Sequence, residues 1–225
     1  MGKICATHAR SRDSIAGAAK AGFDLIFHAS YIDDEGIEFC LKNNITITPT
    51  LTLLINLIEA SQSMAGVSSI DGFKREVEAA VENLPRAYKA GVTLISGSES
   101  GWSPIPYGQW HARELQTFVE LFGLTPLQAI HAGTLAATTS LRRFGHEVGK
   151  LEAGRYADII VLDGDPLKDI KLLQKKSHFD FVFKGGKAVD LMPPAPVKRW
   201  YFEKHKIFLN GLFTYDEQTG GSLAN

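Results

Sequence analysis

The stretch of residues 2–30, GKICATHARSRDSIAGAAKAGFDLIFHAS, constrains the fold of this chain more than any other. KICATH is short, small and apolar and ends in His8, and DLIFHAS is a second apolar run that carries His28 near its end. Between them Ser11 is placed to cap a helix. Ile15, Ala18 and Ala19 recur at i, i+3, i+4, and Gly22 can close the helix. Strand, about ten helical residues, and strand again is the pattern of a parallel βαβ unit. Side chains alternate between faces along a strand. Alternation groups Ile4, Ala6 and His8 on one face of the first strand, with Cys5 and Thr7 on the other. In the second it groups Asp24, Ile26 and His28, leaving Leu25 and Phe27 to pack under helices. Both histidines then fall at the C-terminal ends of neighbouring parallel strands, where α/β folds gather loops and helix N-termini and place their chemistry.

Downstream the alternation of strand and helix continues. Asp33 or Asp34 can cap a helix over 35–42, with Ile37 and Leu41 on one face. ITITPT, 45–50, reads as a third strand ended by Pro49. The apolar run 51–60 suits a helix over the strand ends or one packed on a neighbour, and the Ser/Gly-rich 61–71 suits a loop. Phe73, Val77, Ala80, Val81, Leu84 and Tyr88 give an amphipathic helix over 73–90, with a kink expected at Pro85. VTLIS makes a fourth strand. After the aromatic loop GWSPIPYGQW come helices over 110–122 and 126–141, the second opened by Thr125-Pro126.

From Gly145 the long helices stop, and VGKLEAGRYADIIVLDGDP and FDFVFKGGKAVD predict a small antiparallel unit with glycine turns. The chain is therefore expected to be α/β. Residues 1–144 would form the C-terminal half of a (β/α)8 TIM-type barrel, because a whole one takes about 250 residues. Residues 145–192 would add part of a small β-sandwich subdomain and 193–225 a C-terminal extension. The aromatic, basic stretch 198–213 would dock on the body, beyond a proline-rich break at 192–196.

The fourth strand carries a carboxylate. Counting along Thr93, Ile95, Gly97 and Glu99, the acid points to the inward side of the strand, toward the mouth where His8 and His28 are expected. Two imidazoles and a carboxylate with open positions suit Zn²⁺, Mn²⁺ or Fe²⁺. Such a metal lowers the pKa of bound water to about 7, and Glu99 can bind the metal or take the proton. Cys5 and His8 have the spacing of a metal pair but face opposite ways. His111 and His131 fall on predicted helices and suit surface or packing roles; His146, His178 and His205 carry no spacing signal.

Composition narrows the partners. With 44% hydrophobic and 22% charged residues, the 225-residue chain has ample material for a core. A net charge of −1 without a basic cluster in the first 190 residues argues against nucleic acid. No apolar run is long enough for a membrane span and no signal peptide precedes the first strand, so the cytoplasm is the expected compartment. Ala6 in place of Ser or Thr removes a myristoylation motif, and two cysteines make no disulfide framework.

The segments ATHARS, AGFDLIFHASYIDDEG, ITPTL, AGVTLISGSESG, VGKLEAGRYADIIVLDGDPLKDI and VFKGGKAV, in that order and spacing over residues 2–189, resemble the C-terminal half of the metal-dependent amidohydrolase superfamily. The likeness is to its imidazolonepropionase-like and Xaa-Pro dipeptidase branch. It implies hydrolysis of an amide, cyclic amide or dipeptide by metal-activated water, with zinc the first choice of divalent metal. His8 matches the family's fifth-strand histidine ligand and His28 the sixth-strand one. Glu99 stands where the family usually has an aspartate that touches metal and shuttles the proton. Tyr31 matches a position that often faces substrate, and Asp158 a structural feature of the sandwich return.

Departures from the family pattern carry their own expectations. The family's strand-one His-x-His pair and strand-four carboxylated lysine have no counterpart here, so an N-terminal half or a second copy would complete the barrel. Glu99 is one methylene longer than aspartate. Arg10 replaces a residue that is often histidine; its fixed charge would repel metal but can hold a substrate carboxylate bidentately. The alternative is a non-catalytic remnant, a scaffold or interaction protein with the family's shape and no working metal.

Overall fold

The computed structural model describes residues 3–61, 70–101, 107–108, 110–141 and 144–191. It is mixed α/β. The first part holds β1 (Ala6–Ala9), α1 (Arg12–Lys20), β2 (Leu25–His28), α2 (Asp34–Lys42), β3 (Thr46–Thr48), α3 (Leu51–Ser61), α4 (Ile70–Ala90), α5 (Arg113–Glu120) and α6 (Pro126–Gly133). β1, β2 and β3 form a parallel sheet in sequence order, each strand joined to the next through a helix. The second part is an antiparallel sheet of β4 (Ile159–Leu162), β5 (Phe179–Lys184) and β6 (Lys187–Ala188). Among the described residues no helix is long and apolar enough to cross a membrane.

The helix starts follow from short side chains. The Ser11 hydroxyl accepts from the Ser14 N–H at 3.3 Å, and the Asp33 carboxylate from the Gly36 N–H at 2.9 Å. Thr125 and Gln128 make a reciprocal capping box ahead of Pro126. α6 is shorter than the predicted 126–141. Gly133 packs so close to Leu115 that an added Cβ would lie 3.0 Å from its methyl, and the chain then leaves the α-helix for a 3₁₀ turn over Ala136–Leu141. α3 runs on to Ser61 and α4 begins at Ile70, narrowing the predicted loop from both sides; α4 continues through Pro85. The aromatic loop lies largely outside the described residues, as do residues 192–225 with the proline-rich break, the basic tail and His205.

The predicted fourth strand is reduced to one parallel bridge. The Ile47 N–H donates to the Thr93 carbonyl and the Ile95 N–H to the Ile47 carbonyl, each at 2.9 Å. The next N–H, that of Ser96, donates instead to the Ala132 carbonyl at the end of α6, which takes the chain out of the ladder.

The core lies between this sheet and its helices. Ile26, Ile47 and Leu94 from the sheet pack with Ile15 and Ala19 of α1, Ile37 and Cys40 of α2, Leu84 of α4, and Phe118 of α5. This corrects the face assigned to the second strand. Ile26 is the residue under the helices, while Phe27, paired with His8, faces the opposite side. On that side Ala6 and His8 are exposed. Thr48 is buried there because the backbone of Gly97 lies directly against it, at a distance only a residue without a side chain allows: a Cβ at 97 would overlap the Thr48 methyl and lie 3.2 Å from that of Thr50.

The replacement Gly97→Ala is therefore expected to destabilise the fold by about 1–3 kcal/mol, read as a lowered urea midpoint at unchanged slope. A midpoint equal to that of the parent chain would contradict the close approach of Gly97 to Thr48.

Candidate metal centre

His8, His28 and Glu99 come together at the C-terminal edge of the sheet, with one ligand atom from each lying within 4.8 Å of the others. His8 Nδ1 is 2.8 Å from His28 Nε2, and His28 Nε2 is 3.9 Å from Glu99 Oε2. His8 and Glu99 border a cleft of about 320 Å³ shared with Phe27, Thr48, Thr50, Gly97 and Ser100, and His28 lies buried beside it.

His8 reaches this point by strand alternation, but His28 does not. By alternation its side chain would follow Ile26 beneath the helices. Its φ of 77°, followed by 54° at Ala29, turns the ring back to the side of His8. Glu99 and Thr50 also have a left-handed backbone, with φ of 54° each. Non-glycine residues adopt this conformation at a cost, and surrounding contacts must hold them in it.

The electrostatics favour a neutral imidazole and a restrained carboxylate. Burial lowers the His28 pKa to about 3; the charges of Arg10 and His8 add to the effect, and a bond to the Pro49 carbonyl opposes it. The ring keeps a nitrogen lone pair available at any ordinary pH, as a ligand must. Burial raises the Glu99 pKa, against the opposing charges of Arg10 and His8. Glu99 Oε2 is buried and has no hydrogen-bond partner among the described residues.

This donor set fits a divalent cation. An unsatisfied buried carboxylate oxygen within 4.8 Å of two imidazole nitrogens is what such an ion would complete, and His8, His28 and Glu99 would hold it.

Arg10 and Tyr31 lie differently from their expected places. Arg10 Nη1 is ion-paired with Glu76 of α4, which also accepts from the Ser30 hydroxyl at 2.8 Å, and Arg10 Nη2 lies 4.0 Å from Glu99 Oε2. Its guanidinium is already engaged by a carboxylate of the protein. Tyr31, 41% exposed, does not line the cleft. It borders a separate depression with Ser11, Arg12, Asp33 and Arg86. His111 lies ahead of α5 instead of within it, and its Nδ1 is 2.7 Å from the Ser98 hydroxyl beside Glu99. His131 is exposed on α6.

Two carboxylates of consequence escaped the sequence reading. Glu76 sits in a helix whose apolar spacing gave no reason to single it out. Glu114, fully buried on α5, accepts from the Leu51 N–H at 3.0 Å, the Thr52 N–H at 2.9 Å and the Thr52 hydroxyl at 2.6 Å, capping α3 from 62 residues away. Beside it Arg113 donates to Asn56 Oδ1 at 2.5 Å, pairs with Glu59 and lies over the Trp110 ring. Together these contacts fasten α5 to α3.

The family model described as Amidohydrolase family matches residues 1–189, and the chain belongs to that family. It is 33% identical over 189 residues to ochratoxinase of Aspergillus niger, covering 82% of this chain and 38% of that protein. The crystal structure of A. niger ochratoxinase superposes with a TM-score of 0.73 at 31% identity, over 83% of this chain and 41% of the other. A putative prolidase from Bifidobacterium longum gives a TM-score of 0.75 at 30% identity, over 90% of this chain and 50% of the other. A 67-residue match to imidazolonepropionase of a Geobacillus species is 34% identical, over 30% of this chain and 16% of that protein. The chain thus spans less than half the length of the curated relatives it matches.

Burial outweighs the donors around Glu114 and raises its pKa from 4.5 to about 7. The folded value exceeds the unfolded one, so the contribution to stability is complete below pH 4.5 and is lost as pH rises through 7. The urea midpoint should fall between pH 5 and pH 8, and Glu114→Gln should flatten that dependence. An equal slope in both proteins would show that Glu114 is not the group responsible.

Proposed function

We propose that this chain carries part of the active site of a hydrolase that cleaves carbon–nitrogen bonds in amides, cyclic amides or dipeptides. The observation that carries this reading is the convergence of His8 Nδ1, His28 Nε2 and the Glu99 carboxylate on one point at the strand ends. In this reading His8, His28 and Glu99 hold a divalent metal, zinc being the best match to two imidazoles and a carboxylate. When bound, the metal supplies Lewis acidity to the scissile carbonyl and to the attacking water.

The remaining chemistry belongs to the side chains. The His28 imidazole stays neutral and donates a lone pair. Glu99 takes the proton from water and returns it to the leaving nitrogen, and burial shifts its pKa upward, the direction that helps a carboxylate hold a proton in transit. Arg10 neutralises Glu76 and Glu99 at the rim, and it meets a substrate carboxylate only by giving up Glu76. Phe27 and Thr48 line the cleft and limit the water around the reacting bond.

The exposed face bearing Ala6 and His8 supports a half-barrel reading. Residues 1–144 would form part of a barrel wall, closed by an N-terminal half equivalent to that of the longer relatives or by a second copy, with 145–192 as a sandwich segment. The partner is then a small amide or dipeptide, and the cytoplasm is the proposed compartment.

Purified protein exposed to excess zinc and desalted should retain one equivalent by mass spectrometry, and His28→Asn should reduce the affinity at least tenfold. A panel of N-acyl amino acids, lactams and Xaa-Pro dipeptides, offered with and without the N-terminal half of a relative, should reveal hydrolysis that Glu99→Gln lowers by about 10²–10⁴. No retained metal, no response to chelator and no turnover of any substrate would favour the scaffold reading, for which the Arg10 charge 4.0 Å from Glu99 already speaks.

A further inference from the structure

Thr50 ends β3 with φ 54°, a region that a β-branched residue occupies only where its surroundings hold it. It is also the residue ahead of Leu51, the first of α3, and threonine in that place ordinarily turns its hydroxyl onto the N–H groups of the helix start. Here the hydroxyl does something else: Thr50 Oγ1 is buried against His28 Nδ1 at 2.7 Å. The orphan amides of α3 are taken instead by Glu114, which binds Leu51 and Thr52 from α5 with the Thr50 N–H acting in the same sense. Placing a carboxylate wholly out of water is a costly way to cap a helix that its own Thr50 could have capped. The cost has a structural consequence, because it leaves the Thr50 hydroxyl free for the ring.

We propose that Glu114 is a positioning residue: by capping α3 from α5 it holds Thr50 in its left-handed conformation with Oγ1 against His28 Nδ1, so that Nδ1 carries the proton and Nε2 keeps its lone pair. The ring's other nitrogen agrees with this direction: His28 Nε2 lies 2.8 Å from His8 Nδ1 and accepts from it when His28 carries its proton on Nδ1. The use of the Nε2 lone pair as a ligand rests on the metal reading given above; the link from Glu114 to the ring does not. Outer contacts of this kind commonly change metal affinity 10- to 100-fold.

The test is ¹⁵N–¹H correlation of the His28 ring in the full, metal-free chain at pH 8, with cobalt(II) titration as a second readout. The parent protein should show the Nδ1–H tautomer alone. Glu114→Gln and Thr50→Val should each populate the Nε2–H tautomer and weaken cobalt(II) binding at least tenfold. Leu84→Ala, a core truncation that lowers stability by another route, should move neither. Thr52→Val removes one bond to Glu114 and should shift the same resonances less, which keeps the link testable if Glu114→Gln does not fold. The inference is overturned by an Nε2–H tautomer in the parent, by an unchanged ring in Glu114→Gln or Thr52→Val, or by an equal change in Leu84→Ala. A parent chain that takes up no cobalt(II) counts against the metal reading, and the tautomer then decides the link by itself.

Discussion

Ile26, Ile47 and Leu94 lie side by side beneath the helices, paired Ile26 with Ile47 and Ile47 with Leu94, and their shared burial fixes the register on which the strand ends depend. A slip of one residue would expose all three and drive Thr48 and Phe27 into the helix layer. At roughly 25 cal/mol per Å² of apolar surface, that exchange is prohibitive for a sheet of three- and four-residue strands. With the register locked, His28, Thr50 and Glu99 are delivered to one edge. Each leaves the sheet through left-handed backbone, with φ of 77°, 54° and 54°. The core supplies the driving force, and the edge holds the strain in the places where ring and carboxylate must turn inward.

The edge is a balance of few charges. Arg10 stands among Glu76, Glu99 and the two imidazoles, so one fixed positive charge serves two carboxylates and adds to the burial that keeps His28 neutral. Among the described residues of this edge, Glu99 Oε2 and Thr48 Oγ1 are buried without a hydrogen-bond partner. Charge from a cation would complete the arrangement at Glu99, and Arg10 sets the level of positive charge with which that cation competes.

Much of the fold was legible because its signals are local. Ser11, Asp33 and Thr125-Pro126 announce helix starts, and the small residues between His8 and His28 fit one short crossover helix. The antiparallel unit was legible from its paired apolar runs and glycine turns. Convergence of the two histidines was anticipated, although by reasoning that holds for His8 and fails for His28. Alternation assumes β backbone up to the last residue, and nothing in the letters LIFHAS marks a histidine with positive φ. The fourth strand was overread because Thr93–Ser96 has strand composition, whereas Ser96 is diverted to the carbonyl of Ala132, a contact that sequence does not display. Glu76 and Glu114 were invisible for the same reason: their partners are 46 to 66 residues away, and their spacing on their own helices is ordinary.

The central claim is that the imidazoles of His8 and His28 and the carboxylate of Glu99 share one cation. Anomalous diffraction from crystals of the zinc-loaded protein, collected on both sides of the zinc edge, addresses it most directly. The account predicts a single strong peak within about 2.0–2.3 Å of all three side chains. A peak elsewhere, or none at this edge of the sheet, would contradict it.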